Sequence, residues 1–139
     1  MENNLVSIFI ISRFVGVTDP LDTGPMIIQG PDMPNLVYDH CVANCDVVMK
    51  ALITGGKTSG GFASNANHIF SFNDQTWQEG PPLKDGRFHH ACGILKDGND
   101  YIIVIAGGVG VSSVLSSVEL YNLGSGVSWY AGPEMANPR

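Results

Sequence analysis

A repeat with a period of 52 residues is the feature that most constrains how this chain can fold. Four elements recur at that interval: the diglycine (Gly55-Gly56 and Gly107-Gly108), a tryptophan (Trp77 and Trp129), an exit segment (Gly80–Leu83 and Gly132–Met135) and an arginine (Arg87 and Arg139). An alternating segment, His68–Asn73 and Ser117–Asn122, aligns at 49 instead, and Gly124-Ser125-Gly126 takes up the difference as a loop insertion. Such a period is typical of folds in which each unit buries its apolar face against a neighbour.

A third and poorer copy of the unit precedes the two clear copies. Gly30–Met33 resembles the exit segment, and Val15–Pro20 resembles the alternating segment. The apolar run Leu5–Ile11 is too short to span a membrane and lacks the basic flank of a signal peptide, so we predict a buried strand there. We therefore divide the chain into a partial unit at 1–34 and two full units at 35–86 and 87–139.

Each unit is predicted to form four short strands. In the last unit these are Ala91–Leu95, Tyr101–Ala106, Val118–Asn122 and Trp129–Ala131, with Asp97-Gly98 as a hairpin turn.

One segment also fits a helix. Residues 35–54 contain neither Gly nor Pro, and Cys41, Cys45, Val48 and Leu52 follow a helical spacing. Because the next copy has its hairpin here, we favour two strands with a tight turn at Cys45-Asp46.

These anchors resemble the kelch repeat, and most of all kelch-like proteins of invertebrate type. The resemblance covers about residues 15–139, and it implies an all-β fold: an incomplete kelch-type β-propeller of two four-stranded antiparallel blades and part of a preceding blade. It assigns packing roles to the pairs Phe72–Trp77 and Tyr121–Trp129, with Phe72 in the place of the family's Tyr. The structural motif residues are Gly55, Gly56, Phe72, Trp77, Gly107, Gly108, Tyr121 and Trp129.

The resemblance also implies that loops at one end of the blades bind a protein partner, since binding residues concentrate on loops held by a rigid scaffold. The candidate partner-binding residues are Lys57, Thr58, Phe62, Arg87, Phe88, His89, Val111 and Ser112. For Arg87 a structural pairing between blades is an equal alternative.

Several motifs suggest other chemistry but lack the required context. Ala51–Thr58 matches a relaxed phosphate-binding loop, yet its centre reads as strand and no helix is predicted to follow. Cys41 and Cys45 have no second ligand pair for zinc, and no nucleophile with its base can be drawn from local spacing. We therefore predict no catalytic residue, no cofactor and no metal.

Composition narrows the partner class. The net charge is −6, with no cluster of Lys or Arg, so nucleic acid is not an expected partner, and neither is a membrane. Three cysteines are an odd number and do not suggest a disulfide framework, which favours an intracellular and cytoplasmic protein.

Two functions follow from the resemblance. The first is a non-enzymatic protein-interaction module, a fragment of a larger kelch-like protein such as the substrate-receptor portion of a ubiquitin-ligase adaptor. The alternative is a fragment of a propeller enzyme of the galactose-oxidase type. Because propellers have about four to eight blades, the open blade faces of this chain are expected to self-associate.

Overall fold

The computed structural model describes residues 31–139 of the chain. These residues contain ten strands and no helix. The strands are β1 (Val37–Tyr38), β2 (Cys41–Cys45), β3 (Lys50–Thr54), β4 (Lys57–Thr58), β5 (Asn67–Ser71), β6 (Thr76–Glu79), β7 (Ala91–Asp97), β8 (Asp100–Ala106), β9 (Val118–Asn122) and β10 (Tyr130–Ala131). The strand predicted at Leu5–Ile11 and the poorer copy at Val15–Pro20 lie outside the described residues.

The strands form two four-stranded antiparallel sheets and one small ribbon. The first sheet has the order β2-β3-β5-β6, the second has the order β7-β8-β9-β10, and β1 pairs with β4. All strands of the first sheet fall within residues 35–86, and all strands of the second fall within 87–139. The fold class predicted from the repeat is therefore confirmed, while the unit boundaries themselves stay a prediction.

The segment that also fitted a helix is a β-hairpin. Cys45 pairs with Lys50, which leaves Asp46–Met49 as a four-residue turn in place of the tighter turn predicted at Cys45-Asp46. Met49 adopts a φ of 52°, which lets the chain reverse over this turn. Residues 41–54 therefore form the two strands that the repeat predicts and not the helix that their spacing also fits. Pairing of β2 with β3 buries Ala43 and Leu52 in a shared core.

The third strands of the two sheets, β5 and β9, align at an interval of 51 residues and not at the 49 predicted for the alternating segments. Ala51 pairs with Phe70, and the equivalent Ile103 pairs with Tyr121. The ring of Phe70 lies 4.9 Å from that of Trp77, as the ring of Tyr121 lies 5.2 Å from that of Trp129. The prediction that Phe72 replaces the family's Tyr is therefore wrong. Phe70 takes that place, since cross-strand pairing and not sequence likeness determines the register.

The core lies between the two sheets. Its buried members are Ala43, Leu52 and Ile69 from the first sheet, and Ile103 and Tyr121 from the second. Four half-buried side chains pack against them: Cys92, Ile94, Leu123 and Trp129. One face of each sheet is thus covered by the other sheet.

A disulfide joins the first strands of the two sheets. Cys41 begins β2, Cys92 is the second residue of β7, and their Cα atoms are 6.0 Å apart. Cys45 is a buried free thiol. The odd number of cysteines was therefore a misleading indication, because one bridge and one buried thiol account for all three. The intracellular and cytoplasmic location, which rested partly on that count, stays a prediction.

Candidate functional site

Each diglycine places the loop that comes after it at one end of the sheets. Gly55 and Gly56 follow β3, and their φ angles of 62° and 101° lie in the region that favours glycine. The backbone N–H of Gly56 donates to the carbonyl of Arg87 at 2.8 Å, and that of Gly108 donates to the carbonyl of Arg139 at the same distance. A Cβ at Gly55 would clash with the Arg87 carbonyl. The diglycine therefore permits the next segment of chain to pass directly against the sheet.

Each loop that follows a diglycine then pairs with the segment that enters a sheet. Lys57 of β4 pairs with Tyr38 of β1, and Val109 forms a bridge with Phe88. We call this end of the molecule the loop surface, and we define it by the following residues: Tyr38, Asp39, Lys57, Phe62, Phe88, His89 and Val111.

Lys57 lies between two aromatic rings on the loop surface. Its Nζ is 5.8 Å from the ring centroid of Tyr38 and 5.0 Å from that of Phe88. An ammonium within about 6 Å of a ring face is attracted by the ring quadrupole. Within residues 31–139 no carboxylate forms an ion pair with Lys57. Its positive charge is thus held in place by rings and remains available to an acidic group.

Asp39 and His89 connect the entries to the two sheets. Asp39 Oδ2 lies 3.0 Å from His89 Nε2, and the His89 backbone N–H donates to the Asp39 carbonyl at 3.1 Å. Both residues have positive φ, 55° and 54°, which is uncommon away from glycine. Such backbone persists only where the surroundings impose it, and it concentrates at functional sites.

The loop tips present apolar side chains to solvent. Phe62 is 72% exposed and Val111 is 85% exposed. Both tips are hydrogen-bonded internally: Thr58 N–H donates to the Phe62 carbonyl at 2.9 Å, and Gly110 N–H donates to the Ser113 carbonyl at 2.8 Å. The Thr58 hydroxyl also accepts from Phe62 N–H at 3.3 Å. The loops are thus ordered turns that carry exposed apolar groups.

Arg87 does not belong to the loop surface. Its side chain is fully buried, and its guanidinium donates to Glu119 at 2.6 Å and to the carbonyls of Gly107 and Ser117 at 3.1 Å. The assignment of Arg87 to partner binding is therefore wrong. Its side-chain contacts are structural, with the second sheet and the Asp85 carbonyl, and they do not pair the two blades directly. Of the other candidates, Lys57 and Thr58 form strand β4, Phe62, Val111 and Ser112 lie in the loops that follow the diglycines, and Phe88 and His89 lie at the entry to β7. Their role in partner binding stays a prediction.

Glu119 is the buried residue that the sequence analysis missed. Its carboxylate accepts from the Arg87 guanidinium and also from the backbone N–H groups of Lys84 at 2.8 Å and Asp85 at 3.3 Å. The sequence did contain a signal for this residue, because Glu119 is the one acidic residue in the alternating strand β9. A charge buried in such a strand requires a partner.

His90 is buried beneath the loop surface. Burial, together with the nearby charges of Arg87 and His40, lowers the pKa of its imidazole to about 4. Nε2 lies 3.2 Å from the Thr54 hydroxyl, and Nδ1 has no hydrogen-bond partner. A neutral ring therefore fills the space beside Gly55 and Gly108.

The motifs weighed for other chemistry take structural roles. The segment that matches a relaxed phosphate-binding loop, Ala51–Thr58, is strand β3 followed by the diglycine and β4. In the described residues no three side chains of His, Cys, Asp or Glu are grouped as metal ligands. Within residues 31–139 there is likewise no helix long and apolar enough to cross a membrane.

Comparisons with known proteins bear on the fold. No protein-family model matches the chain, and no curated protein does. The structure of YjhT, a kelch-type β-propeller, superimposes with a TM-score of 0.66 at 17% identity over 81% of this chain. The described sheets are blades of a β-propeller. This chain spans 36% of the length of YjhT.

A second structural neighbour is an enzyme. It is a fungal alcohol oxidase of the AA5 family in complex with copper, with a TM-score of 0.63 and 17% identity over 74% of this chain and 23% of its own length. At this level of identity the likeness shows the kelch-like propeller fold and nothing of activity.

The described residues do not fit a copper centre of the galactose-oxidase type. The alternative of a galactose-oxidase-type enzyme implies copper ligands that include a Tyr cross-linked to a Cys. Among the described residues Cys41 and Cys92 are bonded to each other, and Cys45 is buried in β2. Tyr121 packs on Trp129, and its hydroxyl donates to the Gly126 carbonyl at 3.2 Å.

Proposed function

We propose that this chain is a kelch-repeat, non-enzymatic interaction module whose loop surface binds a protein partner. The observation that carries the proposal is the conjunction of two exposed apolar tips, Phe62 and Val111, with the ring-held ammonium of Lys57 on ordered loops. Binding sites use apolar anchors beside a few positioned polar groups, and rigid loops reduce the entropy lost on association.

The chemistry of the loop surface indicates the type of segment it binds. Phe62 and Val111 offer apolar area, while Lys57 offers a cation with no carboxylate partner among residues 31–139. A segment with an apolar side chain and a nearby carboxylate complements both features. We extend the proposal to the substrate-receptor portion of a larger kelch-like ubiquitin-ligase adaptor, in which the loop surface would bind the substrate.

A random peptide library displayed on phage tests this proposal directly. Peptides enriched on the chain should carry an apolar residue and an Asp or Glu. The double variant Phe62→Ser with Val111→Ser should weaken the enriched peptide at least tenfold by fluorescence anisotropy. A matched control, Val47→Ser with Val127→Ser, removes two apolar groups that are 71% and 88% exposed elsewhere, and it should bind normally.

The charge is tested separately. Lys57→Met keeps the apolar stem and removes the ammonium, so it should abolish the preference for acidic peptides. A failure to enrich any peptide, or equal binding by the loop variants and the wild type, would contradict the proposal.

We also propose that the second sheet mediates self-association. Its face away from the core carries Leu95, Ile102, Val104, Leu120 and Tyr130, of which Leu95 is 58% and Tyr130 is 48% exposed. These five side chains are uncharged. The same face of a second copy can therefore pack on it about a two-fold axis without charge repulsion.

A further inference from the structure

We propose that the Cys41–Cys92 disulfide is a redox-sensitive latch that holds the two halves of the loop surface in register. The inference rests on the proposed function, because it assigns a regulation to that same surface. The bridge joins two strands, β2 and β7, that belong to separate sheets and share no hydrogen-bonded ladder. A covalent bond thus joins two strands that are not paired with each other, beside the backbone hydrogen bond from His89 to Asp39 that joins the segments entering them.

The cysteines of the latch follow closely in the chain after residues whose contacts define the surface. Asp39 is two residues before Cys41, and His89 is three residues before Cys92. The side-chain contact of 3.0 Å and the backbone hydrogen bond of 3.1 Å between Asp39 and His89 therefore join the same two strand entries as the disulfide. A relative shift of β2 and β7 would pull these residues apart.

The Lys57 site also spans the two halves. Tyr38 belongs to the entry of the first sheet, whereas Phe88 belongs to the entry of the second, and the ammonium lies near both rings. If β2 and β7 separate, Lys57 loses one of its two rings. Reduction of the disulfide would thus alter the charged part of the loop surface without any change in the loops themselves.

The disulfide lies at half-buried residues, and the chemistry of its reduction is defined. Cys41 and Cys92 are both half-buried, whereas Cys45 is 4% exposed on the same strand. A dithiol reductant of the thioredoxin class can attack one sulfur as a thiolate, form a mixed disulfide and leave as its own disulfide. Two electrons and two protons pass to the protein, Cys41 and Cys92 become thiols, and the reductant is oxidised.

The first experiment counts thiols in the full chain. Alkylation without reductant followed by mass spectrometry should label one thiol, Cys45, in the unfolded protein, and alkylation after treatment with a dithiol should label three. Three labelled thiols before reduction in freshly purified, air-oxidised protein would overturn the latch.

The second experiment follows amide hydrogen exchange in the oxidised and reduced chain. We expect the His89 amide, which donates to Asp39, to exchange at least tenfold faster after reduction. The amide of Ile103 in the core should stay protected. The double variant Cys41→Ser with Cys92→Ser should behave as the reduced chain, and Cys45→Ser should behave as the wild type.

The outcomes separate the latch from the proposed function. Unchanged exchange at the His89 amide would overturn the latch, because the disulfide would then not affect the loop surface. Loss of protection at both His89 and Ile103 would also overturn it, because the disulfide would then stabilise the whole fold. Faster exchange at His89 together with a tenfold weaker affinity for the library-derived peptide would support it. Equal affinity in both redox states would overturn the regulation while leaving the proposed function intact, whereas failure to enrich any peptide would overturn both.

Discussion

Arg87 and Glu119 form a buried ion pair in which Nη2 and Oε1 are 2.6 Å apart, with side chains that are 0% and 4% exposed. The pair joins the segment between the two sheets to the third strand of the second sheet. The other donors of Arg87 are bonded to Ser117, Gly107 and the Asp85 carbonyl, and the carboxylate of Glu119 accepts two backbone N–H groups. The junction between the blades is therefore satisfied on both sides, as a buried charge requires.

Removal of one member of this pair should unfold the junction. We expect Arg87→Ala to lower the free energy of unfolding by about 3–5 kcal/mol, because Glu119 would be left as an uncompensated buried charge. Urea unfolding followed by tryptophan fluorescence measures the change. Lys84→Ala, an exposed cation nearby, serves as the control. An unchanged midpoint for Arg87→Ala would show that the pair does not stabilise the attachment of the connecting segment to the second sheet.

Acidification should destabilise the chain through His90. Its pKa is 6.5 in the unfolded chain and about 4 when folded, so between these pH values the unfolded state binds more protons and stability falls as the pH falls. The loss reaches roughly 3 kcal/mol near pH 4 and is absent above pH 7. His68, whose pKa burial also lowers, adds in the same direction.

The variant His90→Gln separates this effect from general acid denaturation. Because glutamine does not titrate, the slope of the unfolding free energy between pH 6.5 and pH 4 should be smaller than in the wild type. Equal slopes in urea titrations of the two proteins across this window would contradict the assignment.

The two tryptophans should contribute less to the free energy of unfolding than fully buried aromatic residues do. Trp129 is half-buried, contacts Tyr121, and donates from Nε1 to the Pro81 carbonyl at 2.9 Å. Replacement of a buried Trp by Ala costs about 3–5 kcal/mol, and partial exposure of the ring reduces this to about 2–3 kcal/mol. Trp77→Ala should have a comparable effect.

Trp129→Phe provides the matched variant, because it keeps a ring against Tyr121 and removes the indole N–H. It should cost about 1 kcal/mol, the net value of a typical hydrogen bond. If neither alanine variant moved the denaturant midpoint, the packing of these rings would have no part in holding the sheets.

The open face of the second sheet should make association depend on concentration. Sedimentation velocity should show the wild type as a dimer or larger species at high concentration, with binding of a dye that reports exposed apolar surface on dilution. Leu120→Lys places a charge at the centre of the face and should give a monomer. A sharp wild-type monomer that unfolds cooperatively and binds no dye would contradict self-association.

The order of strands could be predicted from the chain alone because it depends on local patterns. Alternating apolar residues, the Asp-Gly hairpin signal and the paired diglycines predicted the second sheet almost residue by residue. The turn itself is Gly98-Asn99 and not Asp97-Gly98, because Asp97 pairs with Asp100. Comparison of the two copies also corrected the helical spacing of residues 41–52, since an equivalent hairpin lies in the second copy. The loops that carry Lys57, Phe62 and Val111 followed from the same diglycines.

What only the tertiary structure decided is which distant residues meet. The Arg87–Glu119 pair, the Cys41–Cys92 bridge and the Asp39–His89 contact each join residues at least 32 positions apart. The bridge joins two sheets that share no backbone pairing, and the ion pair joins the segment between them to β9. The place of Phe70 beside Trp77 depended on strand register. A local sequence pattern indicates the two-residue period of a strand, but it does not indicate how two sheets are placed relative to each other. That placement determines which side chains meet across the junction.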